Sequence, residues 1–501
     1  MLRVPLLPAL FCAMLVAGPT WAQSTPPADD DGWSDDSDDD GFGDDASEDE
    51  DESFDIDADI DDEVEGPSPL SLRGFLRSDW HLWTERFDGN PWAKGRQNLD
   101  LIFTAKYKFL QFKAELHGEY DFAYLHERGS YDSPTLREYE FQVLTRDVFL
   151  AFSLGAAELT IGRQIVTWGE GDALSPLDVV NPRDLREPGL ADLDDIRLPL
   201  LATRLGIFIG DHRIEAMVVH EFSYGLRSPP FGPFSPFESI LASDPLAAAF
   251  LGGFSTIDFN DLQPQFGLET QQPFLRWVYK GPSVDVGLYA AYTLDKGGVV
   301  TQGRIDGDSL FLDLDHQYYG VIGHSGAAGV DAFLFKWEVG VQLDRLFNTG
   351  SIDAAAAGAA IAAGENSIPF PATRESLFDV MIGVTYTPIS DLVFGLEFAK
   401  STFFDKPDGL LFPVDQEQLA FRVSYTTLKE RLQLSGAVSF IGFDPKFDVL
   451  ARAEISYNVV DTFDIGLGYV LFFPGEDTSF ISGFDNHDRL FLKFRWDFTI
   501  L

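Results

Sequence analysis

Residues 98–109 read NLDLIFTAKYKF, and residues 112–125 read FKAELHGEYDFAYL. In both stretches every second position is apolar or small, while most positions between carry polar or charged residues. Alternation with a period of two predicts β-strands with one apolar face and one charged face. Both stretches are longer than the usual globular strand of about five or six residues. Their length suits a bilayer crossing, which needs roughly 9–11 residues.

The same alternation continues to the end of the chain and predicts about eighteen strands. Short connections such as 110–111 and 155–156 alternate with long ones such as 167–199 and 223–271, which is typical of outer-membrane barrels. The predicted strands are 72–84, 98–109, 112–125, 140–154, 157–166, 200–209, 213–222, 272–280, 283–294, 314–323, 331–346, 376–387, 391–400, 417–427, 431–441, 447–458, 462–472 and 488–500. The segment 314–323 has the weakest alternation, so sixteen strands remain an alternative.

The predicted fold class is therefore all-β: a transmembrane antiparallel β-barrel of about 16–18 strands with short helices in its extracellular loops. A soluble β-sandwich or propeller is the competing interpretation. In such a fold the charged faces of about eighteen long strands would all have to lie on the outer surface. In a wide barrel, lipid meets the apolar face and water meets the charged face, so the alternation is satisfied everywhere. The last strand ends Ile500-Leu501 instead of the commoner terminal Phe, which weakens this signal without removing it.

Three regions follow along the chain. Residues 1–22 are predicted to be a secretory signal peptide, because Arg3 precedes an apolar segment that is too short to span a bilayer. Residues 23–71 are predicted to be an acidic low-complexity tail in the periplasm, and residues 72–501 the barrel. The only cysteine, Cys12, lies in the signal segment, so the exported barrel is expected to lack disulfides. The expected location is the outer membrane of a Gram-negative bacterium.

The acidic tail contains a repeat. Residues 29–37 read DDDGWSDDS and residues 38–46 read DDDGFGDDA, a spacing that resembles the calcium-binding repeats of the thrombospondin type 3 kind. Calcium prefers clustered carboxylate oxygens; the candidate ligands are Asp29, Asp31, Asp35, Asp38, Asp40 and Asp44. The favoured interpretation is a solvated, disordered linker, since 22 acidic residues between 29 and 65 cannot bury a core, and weak calcium binding is the alternative. No other cofactor is predicted.

A distinctive loop follows the fifth predicted strand. Residues 162–171 read GRQIVTWGEG, residues 179–184 read VVNPRD, and residues 194–199 read DDIRLP. This series of G-R-Q-x-x-x-W-G, V-N-P-x-D and D-D-x-R-x-P resembles an uncharacterised family of proteobacterial outer-membrane β-barrels, porin-like and described by a conserved domain of unknown function. Members of that family often accompany lipid-type efflux systems. The resemblance implies an outer-membrane location and the handling of hydrophobic compounds, and it supplies no residue roles.

The same loop carries charges of both signs. Ser175-Pro176 and Asn181-Pro182 each predict a short helical turn, with a capping residue before a proline. Folded into the lumen, the loop would form a charged constriction that selects solutes; with equal weight, its Arg–Asp pairs would only fix the loop to the barrel wall. The candidate constriction residues are Arg163, Glu170, Asp178, Arg183, Asp184, Arg186, Asp194, Asp195 and Arg197.

The next long loop, 223–271, is apolar. Its candidate residues are Phe231, Phe234, Phe237, Ile240, Leu241 and Phe250. Exposed, they would form an access groove for a hydrophobic molecule. The alternative is a plug buried against the lumen or neighbouring loops. Residues 244–251 and 354–363 are each predicted to form a short loop helix.

Catalysis has little support, and we expect no enzyme, because the eight histidines form no metal-binding motif and no nucleophile elbow occurs. A formal charge of −45 opposes nucleic-acid binding. The predicted function is a porin-like channel or transporter for a small, hydrophobic or amphipathic molecule. The alternative is a barrel that anchors the acidic, calcium-binding tail. The expected partners are outer-membrane lipid, an unidentified solute, and a periplasmic or efflux component.

Overall fold

The computed structural model describes residues 69–500 apart from 87–89, 127, 190–195, 236–248, 250, 350–356, 359–361, 409–414, 416, 443–446 and 476–480. The predicted signal peptide and almost all of the acidic tail, with all six candidate calcium ligands, lie outside the described residues. The signal peptide, the acidic tail and its calcium site therefore remain predictions from the sequence.

Eighteen strands form one sheet. In chain order, β1 to β18 are Leu70–Trp83, Trp92–Tyr107, Leu110–Asp121, Phe141–Ser153, Ala157–Gln164, Leu200–Ile209, His212–Val219, Gln272–Lys280, Val284–Leu294, Tyr318–Val330, Phe333–Asn348, Ala372–Ile389, Leu392–Phe403, Glu417–Thr427, Leu432–Ile441, Asp448–Val460, Phe463–Phe473 and Arg489–Thr499. Each strand pairs antiparallel with its neighbours in the chain, and β1 pairs antiparallel with β18, Arg73 opposite Thr499. The sheet is therefore a closed barrel, and the predicted fold class is confirmed, with eighteen strands rather than sixteen.

Short turns and long loops alternate as the sequence predicts. Turns of a few residues, such as 108–109 and 210–211, lie at the same end as the chain termini, and the long loops lie at the other end. In outer-membrane barrels the turns face the periplasm and the loops face outside. The two longest loops are called loop 3 (165–199) and loop 4 (220–271) below.

The register places the two faces of each strand as the alternation predicts. In β11, Phe335 is 46% exposed on the outer surface, whereas Glu338 on the opposite face is fully buried. The outer surface is apolar around the barrel, with residues such as Leu116, Ile161, Leu275, Ile322, Ile382 and Ile455. Near the turns the rings of Phe333 and Tyr386 stack with centroids 4.5 Å apart, as in the aromatic girdles of membrane barrels. An apolar belt outside a polar lumen requires lipid, so the protein resides in the outer membrane.

The predicted strand 314–323 is misplaced. The strand β10 begins at Tyr318, and the residues before it form a separate hairpin of Val299–Asp306 and Ser309–Asp315. This hairpin pairs with Thr256–Leu262 and Ser367–Pro369 to make a four-stranded sheet among the long loops. Because that sheet also buries one face, its strands alternate like barrel strands, and the pattern alone could not separate them.

Other strand ends shift for local reasons. The strand β2 begins at Trp92, six residues before the predicted start at 98. The predicted strand 112–125 ends at Asp121, because the Asp121 carboxylate accepts from the Ala123 N–H at 3.0 Å and caps a 3₁₀ helix at Phe122–Leu125. Further 3₁₀ turns are Arg128–Ser130, Leu268–Thr270 and Ser482–Phe484.

At Ser175-Pro176 a single turn forms, closed by the hydrogen bond from the Asp178 N–H to the Ser175 carbonyl at 3.3 Å, whereas the helical turn predicted at Asn181-Pro182 is wrong. Asn181 does not cap a helix: its side chain accepts from the Val166 N–H at 2.9 Å and donates to the Leu198 carbonyl at 2.8 Å, which holds an extended loop. The extended residues Asp184–Leu185 pair with Leu226–Arg227 of loop 4. The described α-helix, α1 at Ser133–Tyr139, was not predicted. Most of 244–251 and 354–363 lies outside the described residues.

Within the described residues, no helix combines the length and the apolar character needed to cross a membrane.

Candidate functional site

The lumen of the barrel is lined by charged side chains from the inward faces of the strands. Buried charged residues of the wall include Asp79, Lys94, Arg96, Glu119, Glu215, Arg276, Lys336, Glu338, Arg345, Asp379, Glu397 and Arg452. Buried charges are costly unless they are paired or hydrogen-bonded. The partners of these charged side chains inside the barrel therefore determine whether the lumen is open to solutes and which charges it presents to them.

Loop 3 enters the lumen on an aromatic anchor. Trp168 is 1% exposed, and its ring centroid lies 5.2 Å from that of Phe274 on β8 and 5.1 Å from that of Tyr289 on β9. Leu177 and Val180 of the same loop are buried in this cluster. The cluster fixes the loop inside the barrel instead of above its mouth.

A carboxylate farther along the wall, two strands from β9, holds the next part of loop 3. Glu338 on β11 accepts hydrogen bonds from the backbone N–H groups of Glu170 (2.7 Å), Gly171 (2.8 Å) and Leu177 (3.0 Å). The Ser175 hydroxyl donates to the same carboxylate at 2.9 Å. Hydrogen bonds to a charged group are the strong ones, each contributing about 1.5–3 kcal/mol. This one wall carboxylate therefore accepts hydrogen bonds from four donor groups of the loop.

A second wall carboxylate repeats the arrangement. Glu397 on β13 accepts from the N–H groups of Asp172 (2.7 Å), Ala173 (2.9 Å) and Leu174 (2.8 Å). The Asp172 carboxylate in turn accepts from Lys336 at 2.6 Å and also pairs with Arg422 on β14. Residues 169–177 are thus fixed to the inner wall from β11 to β14.

Gly169, within the W-G of the loop motif, is required by this contact. Its φ is +92°, a conformation that side chains rarely adopt. A Cβ atom at this position would lie 2.5 Å from Oε1 of Glu338. The motif therefore encodes the close approach of the loop backbone to the wall carboxylate.

Three of the predicted constriction residues form one cluster in mid-lumen. The Asp178 carboxylate accepts from Arg183 at 2.9 Å and from Arg197 at 3.1 Å. Burial opposes ionisation of Asp178, but the two guanidinium groups outweigh it and hold the pKa of this carboxyl below its ordinary value. The cluster is charged at neutral pH, with one carboxylate between two guanidinium groups.

A second cluster binds residues 184–187 of loop 3 to the wall of β2 and β3. Arg186 pairs with Asp184 and, at 3.2 Å, with Glu119 on β3. Glu187 pairs with Lys94 and, at 3.3 Å, with Arg96 on β2. Burial opposes ionisation of Glu187, but Arg96 and Lys94 outweigh it and lower its pKa to about 2.

The remaining predicted constriction residues are separate from these clusters. Arg163 pairs with Glu221 at 3.1 Å, and the Glu170 carboxylate accepts from the Ser325 hydroxyl at 3.0 Å. Asp194 and Asp195 lie outside the described residues. The loop motifs indicated none of the wall partners Glu338, Glu397, Lys336, Arg422, Lys94 and Arg96, because these lie on distant strands. Glu187 follows Arg186 directly and could have been included from its position.

Loop 4 crosses the lumen beside loop 3. Phe234 is 2% exposed and packs against Phe472 and Phe484, with ring centroids 5.9 and 5.3 Å apart, in a cluster on the wall of β16–β18. Phe231 is 39% exposed. The structure thus separates these two predicted loop residues, one in a buried cluster and one at a surface. Phe237, Ile240, Leu241 and Phe250 lie outside the described residues.

The two crossing loops leave a cavity on either side. Cavity 1, of about 190 Å³, lies between loop 3 and the wall of β10–β14. Cavity 2, of about 220 Å³, lies between loop 3 and the wall of β1–β5 with β18. Leu226 of loop 4 lines both, Arg183 lines cavity 1, and Arg186 and Arg197 line cavity 2. The charged clusters of loop 3 therefore stand between two polar chambers.

This architecture defines a class of protein. A closed barrel of eighteen strands with an apolar outer surface, a charged lumen and loops folded into that lumen is a porin-like outer-membrane barrel. The sequence matches the DUF1302 family, described as a protein of unknown function, over residues 87–498, and the chain belongs to this family. No curated protein matches the sequence.

Solved structures with a similar course of the chain include Pseudomonas aeruginosa OpdK with vanillate, which shares 10% identity at a TM-score of 0.46 and covers 86% of this chain and 99% of its own. Acinetobacter baumannii OccAB1 shares 8% identity at a TM-score of 0.49 and covers 87% of this chain and 98% of its own. Pseudomonas aeruginosa OccK2 (OpdF) in complex with glucuronate shares 9% identity at a TM-score of 0.46, with 86% and 98% covered.

In the part of the chain that the structure describes, no group of three or more His, Cys, Asp or Glu side chains is arranged to hold a metal ion.

Glu187→Gln is expected to lower the stability of the barrel at neutral pH by about 3 kcal/mol, because it leaves two buried cations without their shared partner. The folded-state pKa of Glu187, about 2, lies below its ordinary value of about 4.3. The stabilisation is therefore fully present above roughly pH 4.3 and is lost as the pH falls towards 2. Urea unfolding of the wild type and the variant at pH 7, 4 and 2.5 measures this.

The matched control is Glu140→Gln, which removes an exposed pair with Arg128 at 2.8 Å and should change the stability little at any pH. A Glu187→Gln deficit of the same size at pH 7 and pH 2.5 would contradict the assignment.

Proposed function

We propose that the protein is an outer-membrane channel or transporter for a small, hydrophobic or amphipathic molecule, with loop 3 forming its constriction. The observation that carries the proposal is the pair of cavities on either side of the Asp178–Arg183–Arg197 cluster inside the barrel. Barrels of 16–18 strands are wide enough for an aqueous channel. A rigid charged strut inside such a lumen narrows the path and sets which solutes pass.

The fixed position of loop 3 supports a constriction rather than a loosely filled lumen. Seven hydrogen bonds from loop 3 to Glu338 and Glu397 leave little freedom for residues 169–177. Arg183 and Arg186 then present guanidinium groups to the two cavities. Selection by fixed charges needs this kind of preorganised geometry.

The preference for a hydrophobic or amphipathic molecule rests on apolar side chains beside these charges. Leu174, Val179, Leu185 and Leu226 line cavity 1, and Phe231 of loop 4 is exposed. Exposed apolar groups in a polar setting mark contact sites for apolar parts of a ligand. The burial of Phe234 supports the plug interpretation for that residue, and our proposal therefore assigns the apolar path to loop 3.

The second candidate is a barrel that anchors the acidic tail and binds calcium or a periplasmic or efflux partner. One observation favours it: two loops cross the lumen and meet where Asp184–Leu185 pair with Leu226–Arg227. If this crossing closes the path, the barrel conducts nothing, and the function resides in residues 23–71.

Single-channel recording distinguishes the two candidates. The refolded protein in a planar bilayer is expected to show steady open currents in KCl, and a hydrophobic solute should reduce them. Deleting residues 29–65 should leave the currents unchanged. A folded barrel that stays silent, together with calcium binding that disappears with this deletion, would replace the channel by the anchor.

A further inference from the structure

Lys296 lies where the chain leaves β9 and lines cavity 1. Its Nζ donates one hydrogen bond, to Oε1 of Gln272 at 2.5 Å. An ammonium group has three donors. Across the described residues, no carboxylate lies within 4.0 Å of this Nζ. The ammonium group of Lys296 therefore has N–H donors that can bind a ligand in cavity 1.

The other cations around cavity 1 are neutralised by carboxylates. Their pairs are Arg183 with Asp178, Arg227 with Asp261, Arg345 with Asp295, and Lys400 with Glu417, at 2.6–2.9 Å. Lys296 therefore differs from them in having an amide oxygen instead of a carboxylate as its partner. A ligand that needs a cation would find its charge at this residue.

The surroundings of Lys296 favour a negatively charged ligand. Burial lowers the pKa of this amine to about 7, against the opposing effect of Asp295 and Glu221. A buried amine of this kind forms an ion pair when an anion binds beside it, and the anion accepts a charge-assisted hydrogen bond from it.

The rest of cavity 1 limits the shape of that anion. Leu174, Val179, Leu185 and Leu226 supply apolar lining. The volume of cavity 1 is about 190 Å³. The Asp379 carboxylate lines the same cavity and repels a second negative charge. The cavity thus suits one negative charge on a short apolar chain.

We propose that cavity 1 binds a short-chain monocarboxylate, with its carboxylate on Lys296 and its hydrocarbon chain against the leucine and valine side chains of loops 3 and 4. This inference rests on the proposed function and deepens it, since it names the class of solute that pauses in the channel. The amine gives the site its charge selectivity, and the apolar lining gives it the preference for an amphipathic solute over chloride or phosphate.

The test is titration calorimetry on the full refolded barrel in detergent, with butyrate as the probe. Its neutral and cationic analogues, 1-butanol and butylamine, are titrated in the same way. Butyrate should bind at least about tenfold more tightly than either, because only butyrate completes the charge-assisted hydrogen bond. Equal binding of butyrate and 1-butanol would overturn the proposal, because the site would then recognise only the hydrocarbon chain.

Variants locate the site. Lys296→Met should weaken butyrate binding by about tenfold or more, and Lys296→Arg should keep it within a few-fold. The control is Lys280→Met, because Lys280 ends β8 at an exposed turn outside the cavity. Unchanged butyrate affinity in Lys296→Met would also overturn the proposal. If Lys296→Met fails to fold, the proposal is still tested by the comparison of butyrate, 1-butanol and butylamine and by the butyrate affinity of Lys296→Arg.

Conductance in KCl separates this inference from the channel itself. A wild-type barrel that conducts but does not bind butyrate would refute the carboxylate site and leave the channel. A barrel that binds butyrate through Lys296 but never conducts would refute the channel and leave the site.

Discussion

The double variant Glu338→Gln with Glu397→Gln is expected to raise the open-channel conductance about twofold or more, because loop 3 loses the contacts that hold it across the lumen. In both residues each carboxylate oxygen accepts from a loop donor. A glutamine has the same shape but replaces one acceptor by an NH₂ group, which leaves loop N–H groups without partners. Single-channel recording in KCl measures the change.

The matched control is Glu158→Gln. Glu158 on β5 is also a buried wall carboxylate, but its hydrogen bond comes from Thr160 at 3.2 Å, on the same strand. Its conductance should remain that of the wild type. Equal conductance of the double variant and the wild type would show that these contacts do not set the width of the path.

The second large effect is expected for Arg183→Glu with Arg186→Glu, which should shift the ion selectivity strongly towards cations. The substitution replaces two positive charges by two negative ones, one facing each cavity. Fixed charges at a narrow point act on a permeating ion with little screening. The reversal potential under a KCl gradient measures the shift.

Arg183→Lys with Arg186→Lys keeps both charges and serves as the control, although it loses the planar fork geometry of arginine. Its reversal potential should stay near that of the wild type. A conducting Glu variant with an unchanged reversal potential would remove loop 3 from the constriction.

The barrel was predictable from the sequence because lipid and water impose a period of two on every strand. Leu99 and Asp100, or Phe335 and Lys336, already show which face meets lipid and which meets the lumen. The prediction failed where another sheet obeys the same rule, as in Val299–Asp306 and Ser309–Asp315. Period and length alone do not say which sheet a strand joins.

The site was only partly predictable. Loop motifs indicated Asp178, Arg183 and Arg197, because oppositely charged residues close in sequence can pair within a loop. Partners such as Glu338, 161 residues from Leu177, depend on how the barrel closes. The helical turn predicted at Asn181-Pro182 failed because the Asn181 side chain bonds to Val166 and Leu198 across the loop, and those contacts outweigh a local capping preference.

The most direct test of the central claim, that loop 3 fixed to the wall sets the channel, is a reversible cross-link. A Cβ atom at Gly323 on β10 would lie 3.2 Å from Cγ of Leu177, the position that the sulfur of a cysteine at residue 177 can take, and this is close to the roughly 3 Å between a Cβ atom and the far sulfur of a disulfide. We would introduce Leu177→Cys and Gly323→Cys into the Glu338→Gln/Glu397→Gln barrel and record its single-channel current before and after adding dithiothreitol. The oxidised barrel is expected to show the wild-type conductance, and reduction is expected to raise it. A current that reduction leaves unchanged, in a barrel whose disulfide has demonstrably formed and broken, would contradict the account.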